Sequence, residues 1–425
     1  MRVVVIGAGV AGVMTAYELA AQGHEVVVVE RCAGPADETS FGNGGVLGAT
    51  QVEPWAQPGM PLHLLRWLGR EDAPLLLRLG QLPHMWRWGV KFLANCNEAA
   101  FHRAMSASLR LTRYSLARFA ALREATGLSF DHRAGGALKV YGKPAELEAF
   151  ARKFEASRGY GMRFSVLDRA GCARIEPALA AAPISGGILF PEDETGDCRK
   201  FTQAMAGMAA RAGVEFRFAT PVAGIEHGAG RAVAVTTAAG RIAADAIVVA
   251  CASHTPGLLA PLGIRVPICP VKGVSITVPV VDWPDAVRGA VIDHTRLFGL
   301  IRLGDRLRVS GSAEITGFDT TPAPSRCAAL TRAALELFPA LAPSLAASPP
   351  LRWAGLRGVS PDGPPIIGRT PIANLFVNAG HGPQGWSTSH GCARIVADLV
   401  GGREPEIEIA GLELDRYGDR HRAGA

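Results

Sequence analysis

Three glycines near the start of the chain are the first residues whose spacing indicates chemistry. Gly7, Gly9 and Gly12 follow the apolar, β-branched run at 2–6 and precede a predicted helix at 13–22. In a strand–turn–helix unit with this spacing, the glycines allow a tight turn, close approach of the backbone to a pyrophosphate, and close packing of helix against strand. The unpaired N–H groups at the helix start attract phosphate oxygens. The pattern therefore predicts a bound nucleotide at this turn.

An acidic residue ends the next predicted strand, where this kind of unit binds a ribose. The strand spans 25–29 and is followed by Glu30, whose carboxylate can accept hydrogen bonds from ribose hydroxyls and would repel a 2′-phosphate. The unit therefore contains a strand, the three glycines, a helix, a second strand and an acidic residue at the expected spacing. This order predicts a ligand with an ADP moiety. The predicted contacts in this unit are Gly7, Ala8, Gly9, Val10, Ala11, Gly12, Glu30 and Arg31.

Composition and charge narrow the class of protein. The chain has 425 residues, of which 48% are hydrophobic, and 50 glycines, which fits a compact α/β protein. No apolar run is long enough to span a bilayer, and the chain begins in a strand without a secretory pattern, so we expect cytoplasmic localisation. The eight cysteines form no C-x-x-C pair and predict no metal site. The net charge of +6 comes from dispersed arginines, so we expect no nucleic-acid partner.

The predicted elements alternate between two patterns along the chain. Buried parallel strands and their helices are predicted in three separated segments, at 1–50, 195–260 and 352–425. The segments at 51–194 and 261–351 combine helices with an antiparallel pattern. We therefore predict an α/β fold, in which a discontinuous Rossmann-type nucleotide-binding domain is interleaved with an α+β substrate domain built on an antiparallel sheet. Such an interface between domains is a common place for a binding site.

Several elements of the second pattern have well-marked ends. A helix is predicted at 98–126, because apolar residues recur at helical spacing up to Gly127. A hairpin at 300–310 turns at Gly304 and Asp305, and a further helix is predicted at 324–337.

Beyond these patterns, the chain resembles the family of FAD-dependent D-amino-acid dehydrogenases, within the superfamily of D-amino-acid oxidase, glycine oxidase and sarcosine oxidase. The resemblance runs through nearly the whole chain. It is carried by the glycine-rich start, the strand at 245–252, and the stretches at 38–45 (ETSFGNGG), 54–62 (PWAQPGMPL), 191–198 (PEDETGDC), 271–273 (VKG), 355–363 (GLRGVSPDG) and 380–386 (GHGPQGW).

Separated glycine-rich contacts favour FAD over NAD as the cofactor. NAD needs one Rossmann unit, whereas a flavin extends away from the ADP site and needs a second anchor. The turn at 380–385 leads into a predicted helix at 387–400, whose N-terminal N–H groups would stabilise negative charge on reduced flavin. By resemblance, the further FAD contacts are Thr39, Ser40, Asn43, Gly44, Gly45, Val222, Ala250, Gly380, His381, Gly382, Gly385 and Trp386.

The resemblance implies oxidative deamination of D-amino acids to 2-oxo acids and ammonia, by hydride transfer to FAD. It assigns the substrate carboxylate to Arg357, since a planar guanidinium binds a carboxylate through two parallel hydrogen bonds. Gly358 and Val359 depart from the family's usual residues at this point. Lys272 lies on a strand expected to line the site, with a structural salt bridge as its alternative, and His381 is expected to shape the flavin turn or to act directly.

The segment at 54–88 is rich in tryptophan, leucine and arginine, a composition that favours membrane interfaces. Trp67, Trp86 and Trp88 alternate there with arginines. A dehydrogenase that passes electrons to a quinone, or to another acceptor that is not oxygen, benefits from such contact. We therefore expect peripheral attachment to the inner face of the cytoplasmic membrane, with helices that cap the substrate pocket as the alternative.

Other functions stay open at this stage. A glycine- or sarcosine-type oxidase and a dehydrogenase of a cyclic imino acid such as D-hydroxyproline would have the same framework. A non-catalytic protein that binds a nucleotide or a lipid is the alternative from another class.

Overall fold

A mainly parallel sheet contains the N-terminal unit in the computed structural model, which describes residues 1–68, 70, 75–283 and 286–418. From edge to edge, its strands are β19 (Ile366–Arg369), β20 (Leu375–Ala379), β13 (Ala246–Val249), β1 (Arg2–Ile6), β2 (Glu25–Val29) and β9 (Glu215–Arg217). Neighbouring strands are parallel except β19 and β20. β1, β2 and β13 consist mainly of valine and isoleucine buried on both faces, as in parallel sheets that are covered on each side.

Helices cover one face of this sheet, and a small antiparallel sheet covers the other. The helices are α1 (Val10–Ala21), α4 (Glu98–Thr126), α7 (Cys198–Arg211) and α11 (Gly385–Val400), and the small sheet contains β10 (Val222–Gly228), β11 (Arg231–Thr237) and β12 (Gly240–Ala243). α1 packs against α7 and α11, and α11 packs against α4. The predicted strand–helix–strand unit is confirmed, with its helix starting three residues earlier, at Val10.

A second, mixed sheet forms most of the rest of the structure. In spatial order its strands are β18 (Leu351–Val359), β14 (Cys269–Pro279), β17 (Arg306–Ile315), β16 (Phe298–Leu303), β15 (Ala290–Asp293), β5 (Ala137–Tyr141), β7 (Gly186–Phe190) and β6 (Ser165–Asp168), and β4 (Leu75–Leu77) pairs with β17. Most pairs are antiparallel, as predicted, but β5 with β15 and β4 with β17 are parallel. α9 (Pro324–Leu337) and α10 (Ala342–Ala347) pack against β14.

The remaining elements connect the two sheets or lie at their edges. They are α2 (Met60–Trp67), α3 (Leu82–Ala94), α5 (Pro144–Ser157), α6 (Arg169–Ile175), α8 (Thr255–Leu259), and the short pair β3 (Val46–Leu47) and β8 (Glu194–Thr195). α4 ends before Gly127, whose φ of 61° is the left-handed conformation that ends helices.

Two segments pack differently from the predicted division of the chain. β18 pairs along its length with β14, so residues 352–359 belong to the mixed sheet, and only its last residue, Val359, also pairs with His381 of the third nucleotide-binding segment. α4 packs its buried face on α11, so this helix adds to the core of the parallel sheet. Residues 69, 71–74, 284–285 and 419–425 of the predicted segments lie outside the described residues.

Candidate active site

A cavity of about 480 Å³ lies at the carboxyl ends of the parallel strands. The residues that follow four of these strands line it: Gly7 after β1, Glu30 after β2, Ala250 after β13 and Gly380 after β20. Open α/β sheets bind their ligands outside the carboxyl ends of their strands. The cavity therefore lies where this kind of fold places a nucleotide.

The turn between β1 and α1 forms one wall of the cavity from backbone. Gly7 has a φ of 109°, and a Cβ atom on it would lie 2.6 Å from the carbonyl oxygen of Ala250. A Cβ atom on Gly12 would lie 1.9 Å from the carbonyl oxygen of Gly7. The N–H of Val10 donates to Oγ of Ser40 at 3.1 Å, and both residues line the cavity. Only glycine fits at Gly7 and Gly12, for the reasons that the spacing predicted.

The carboxylate of Glu30 is held on the cavity wall by two backbone donors. Its Oε2 accepts from the N–H of Ala8 at 2.6 Å, and its Oε1 accepts from the N–H of Cys32 at 2.8 Å. Glu30 is buried and lines the cavity, as Val222 does. A carboxylate has about four acceptor positions, so Glu30 retains capacity for hydroxyl groups of a ligand.

Arg31 lines the same cavity but pairs with neighbouring side chains. Its guanidinium forms an ion pair with Glu38 and a hydrogen bond of 2.8 Å with Nε2 of His254. Burial, with the nearby charge of Arg31, lowers the pKa of His254. His254 was not predicted from the sequence, because no motif marks the residues that follow β13.

The end of β20 and the turn that follows it form another part of the cavity wall. Two buried polar atoms of this part have no hydrogen-bond partner within the described residues. Within the described residues, Nε2 of His381 and Oδ1 of Asn378 are buried and accept or donate no hydrogen bond. Both residues line the cavity together with Gly380, Gly382 and Gly385. Burial lowers the pKa of His381 to about 4, so its imidazole is neutral near pH 7. Buried polar groups are normally paired, so these atoms indicate a ligand that contributes the partners.

Arg357 brings a cation to this cavity from the mixed sheet. Its Nη1 donates to the carbonyl oxygen of Ser312 at 3.2 Å, and within the described residues it forms no ion pair with a carboxylate. Burial lowers the pKa of its guanidinium. A half-buried arginine without an acidic partner can bind an anionic ligand group strongly, since the pairing replaces lost hydration.

Lys272 does not line the cavity, and the structure places it in the salt bridge that was its alternative. The alternation of β14 directs Lys272 to the face opposite Gly273, against which Arg357 lies. Its Nζ lies 2.8 Å from Oδ2 of Asp319 and 3.7 Å from Oε2 of Glu314. Because a strand directs successive side chains to opposite faces, the geometry favours the salt bridge for Lys272, and its contact with substrate or flavin stays a prediction.

Three predicted contacts between β2 and β3 pack on the mixed sheet. Oδ1 of Asn43 accepts from the N–H of Gly45 at 2.8 Å, and a Cβ atom on Gly45 would lie 1.8 Å from Ile301. A Cβ atom on Gly44 would lie 3.1 Å from Oγ of Ser310. None of the three lines the cavity, so their contact with FAD stays a prediction.

Of the other predicted residues, most line the cavity and a few support it. Ala8 and Gly12 form the turn beneath it, and Trp386 is buried against Phe130 and Phe201. The predicted residues that line the cavity are Gly7, Gly9, Val10, Ala11, Glu30, Arg31, Thr39, Ser40, Val222, Ala250, Arg357, Gly380, His381, Gly382 and Gly385. Sequence reasoning missed others, including Asp37, Thr220, Cys251, His254 and Asn378, although Asn378 ends a strand that was predicted.

Comparison with known proteins identifies the family. Residues 2–399 match the family model DAO, described as FAD dependent oxidoreductase. The chain belongs to this family of FAD-dependent oxidoreductases. It is therefore an enzyme of that class, and FAD is its cofactor, as predicted.

Curated relatives match over almost the full length of the chain. The D-amino acid dehydrogenase of Cereibacter sphaeroides is 46% identical over 419 residues, which cover 98% of this chain and 95% of that protein. The D-amino acid dehydrogenase of Rhizorhabdus wittichii is 45% identical, with 98% of this chain and all of that protein covered. Among solved structures, glycine oxidase from Geobacillus kaustophilus has a TM-score of 0.78 at 24% identity, with 98% and 99% covered. L-proline dehydrogenase from P. horikoshii has a TM-score of 0.76 at 20% identity, and the match covers 98% of this chain and 97% of that one. Both solved structures have the same fold as this chain.

Features of the cavity itself fit FAD. Gly7 makes the tight turn against Ala250, and Gly9, which lines the cavity without a side chain, lets the backbone approach a pyrophosphate closely. Glu30 has acceptor capacity for ribose hydroxyls, and the buried Nε2 of His381 and Oδ1 of Asn378 lack partners within the described residues. The donors and acceptors therefore match a dinucleotide that extends from the turn after β1 to the turn after β20.

Proposed function

We propose that this enzyme catalyses the oxidative deamination of D-amino acids to 2-oxo acids and ammonia. The observation that carries the proposal is Arg357, a half-buried cation that lines the FAD cavity and has no carboxylate partner within the described residues. The names of relatives that are 45–46% identical over almost the whole chain support the D-configuration. Bound FAD supplies the two-electron acceptor for oxidation of the amine carbon.

The residues of the chain bind and orient the two reactants. Arg357 pairs with the substrate carboxylate through two hydrogen bonds, which fixes the amine carbon relative to the cavity. Glu30 holds the ribose of the cofactor, and the wall at Gly9 and Val10, with Ser40, holds its pyrophosphate. The turn that contains His381 holds the flavin, and the low pKa of His381, about 4, keeps a second cation out of the site.

Anaerobic reduction of the enzyme tests this proposal. D-alanine should bleach the flavin absorbance of the purified enzyme, and L-alanine should not. Arg357→Ala should lower kcat/KM with an artificial electron acceptor by about 30- to 5000-fold, the cost of removing one partner of a buried charge pair. Arg357→Lys should recover only part of the lost kcat/KM, because lysine keeps the positive charge but lacks the planar guanidinium that forms two parallel hydrogen bonds. Arg352→Ala, at an exposed position near the start of the same strand, is the control and should behave as wild type.

Bleaching by L-alanine alone, or an unchanged kcat/KM in Arg357→Ala with full FAD content, would overturn the proposal. Bleaching by glycine or sarcosine, with hydrogen peroxide formed in air, would instead identify the oxidase alternative. Bleaching by D-hydroxyproline in preference to D-alanine would identify the cyclic imino acid dehydrogenase.

We further propose that the electrons pass to a quinone at the membrane surface. α2 and α3, with the residues around them, expose a set of large apolar side chains, here called the apolar patch: Leu62, Leu65, Leu68, Leu79, Leu82, Trp86, Val90 and Leu93. Clustered exposed apolar side chains often mark a site of contact with a protein or a membrane. None of the described helices is long and apolar enough to cross a membrane, so the contact would be peripheral.

The neighbouring tryptophans support both interpretations of this segment. Trp86 is 57% exposed, with the guanidinium of Arg87 at 5.2 Å from its ring centre. Trp88 is buried, and its Nε1 donates to the carbonyl oxygen of Val359 at 2.8 Å. Trp88 therefore caps the end of β18, two residues beyond Arg357, while Trp86 on the same helix is available to lipid.

A further inference from the structure

The guanidinium of Arg357 is positioned by a residue two strands away. β18, β14 and β17 are neighbours in that order, and the side chain of Arg357 crosses β14 at Gly273. Beyond Gly273, its Nη1 donates to the carbonyl oxygen of Ser312 at 3.2 Å. This carbonyl is the acceptor on the far side of the guanidinium, so its location determines which N–H groups remain for a ligand.

Ser312 lies in a bulge of β17, in a backbone conformation that needs support. Between the pairs Lys272–Glu314 and Val274–Gly311, β17 contains one residue more than β14. Ser312 has a φ of 66°, which is unfavourable for a residue with a side chain. Its Oγ donates to Oε1 of Glu314 at 2.8 Å. This hydrogen bond ties the bulge to the opposite face of the sheet.

Glu314 is itself held by buried cations on that face. Both Glu314 and Lys272 are only 3% exposed, and their Oε2 and Nζ atoms are 3.7 Å apart. Nε of Arg326, on α9, lies 3.6 Å from Oε1 of Glu314. Lys272 also binds Asp319, at 2.8 Å. The carboxylate of Glu314 therefore has a fixed position from which it holds Ser312.

We propose that Ser312 and Glu314, with Lys272 behind them, are positioning residues that orient Arg357 for the substrate carboxylate. The inference rests on the proposed function, in which Arg357 binds that carboxylate. Glu314 fixes the hydroxyl of Ser312, the bulge turns its carbonyl toward β14, and the carbonyl holds one end of the guanidinium. The other end then meets the carboxylate in the geometry that two parallel hydrogen bonds require. This gives Lys272 a supporting role from the face opposite the substrate.

Steady-state kinetics with D-alanine and an artificial electron acceptor test the proposal. Ser312→Ala and Glu314→Ala should each lower kcat/KM by about 10-fold, chiefly through KM, since each removes one hydrogen bond that orients the arginine. Glu314→Gln should recover part of this loss, because its amide oxygen still accepts from Ser312 although the ion pairs with Lys272 and Arg326 are lost. FAD content should remain normal in all three variants, since none of these residues lines the cofactor cavity.

A double-mutant cycle separates positioning from a general loss of structure. If Glu314 acts through Arg357, Glu314→Ala should have no further effect on kcat/KM in an Arg357→Ala background. An equal effect in both backgrounds, or wild-type kinetics for Ser312→Ala and Glu314→Ala, would overturn the positioning role while leaving the proposed function in place. If Arg357→Ala itself had wild-type kinetics, the proposed function and this inference would both fail.

Discussion

A Cβ atom on Gly273 would lie 2.3 Å from Nη1 of Arg357, so the guanidinium occupies the space that a side chain at this position would need. Gly273 and Arg357 belong to adjacent strands, and the absence of a side chain on one allows the other to reach Ser312. The finding gives a physical reason for the glycine of the VKG stretch, which the sequence alone did not explain.

Gly273→Ala should impair catalysis more than stability. The added methyl group displaces only the flexible end of Arg357, so the melting temperature should change little. Since small displacements of a binding group are costly for catalysis, kcat/KM for D-alanine should fall by about 10- to 100-fold. Gly299→Ala is the matched control, because its Cβ atom would have no neighbour closer than 3.8 Å in the same sheet. An unchanged kcat/KM in Gly273→Ala would show that the position of the guanidinium is unimportant.

Glu30 should determine how tightly the enzyme retains FAD. Glu30→Ala removes the carboxylate that is held by Ala8 and Cys32, and we expect Kd for FAD to rise by about 10- to 100-fold, the worth of hydrogen bonds to a charged group. Glu30→Gln keeps one acceptor but turns an NH₂ group toward a backbone donor, so its retention should be intermediate. Glu25→Ala, at the exposed start of the same strand, is the control. FAD content after gel filtration measures the effect, and equal retention by all variants would remove Glu30 from the site.

Replacing Ala252 with glycine should raise the free energy of unfolding of the protein. Its φ of 46° is left-handed, which costs a residue with a Cβ atom about 1–2 kcal/mol. Glycine avoids this strain but makes the unfolded chain more flexible, which costs about 0.5–1 kcal/mol of stability. Ala252→Gly should therefore stabilise the protein by about 0.5–1 kcal/mol. Ala260→Gly, at an ordinary φ of −60°, should destabilise it. Urea unfolding in excess FAD measures both, and a loss of stability in Ala252→Gly would contradict the argument.

Local sequence patterns predicted the elements better than the contacts between them. The helix ending at Thr126 was predicted because Gly127 is a local stop signal, and the helix at 324–337 was also predicted with its observed bounds. The placement of Arg357 depends on β14, which is distant in the chain, and on a bulge at Ser312 that no residue type signals. The two alternatives for Lys272 stayed open in the sequence for the same reason, since one residue along a strand decides the face. His254 lines the cavity only because the chain turns after β13.

The FAD-free protein should lose stability in acid partly through His381. Burial lowers the pKa of His381 from 6.5 to about 4. The unfolded chain therefore takes up this proton as the pH falls below 6.5, whereas the folded protein takes it up only near pH 4. The contribution of His381 to the free energy of unfolding is therefore fully present above pH 6.5. It is lost as the pH falls from 6.5 to about 4, by up to ~3 kcal/mol.

His381→Asn should remove this contribution. Its free energy of unfolding should fall less than that of wild type between pH 7 and pH 4, which urea titrations of the FAD-free proteins would measure. His227→Asn is the control, because His227 is exposed on β10. The same pH slope in wild type and His381→Asn would show that the imidazole is not buried in its neutral form.

The apolar patch should mediate reversible binding to anionic membranes. Leu65 is 70% exposed and Val90 is 59% exposed, so Leu65→Glu and Val90→Glu should leave folding and activity with a soluble acceptor unchanged. Each should weaken binding to phosphatidylglycerol vesicles by about 10-fold or more, because an apolar side chain that enters lipid is worth about 1.5–3 kcal/mol. Leu351→Glu provides the control, since Leu351 is 51% exposed on β18, outside the patch. Salt should weaken the binding of wild type further, because charge attraction to the lipid headgroups is screened. If wild type failed to sediment with these vesicles at low salt, or if both patch variants sedimented as wild type does, the patch would serve only to cap the substrate pocket.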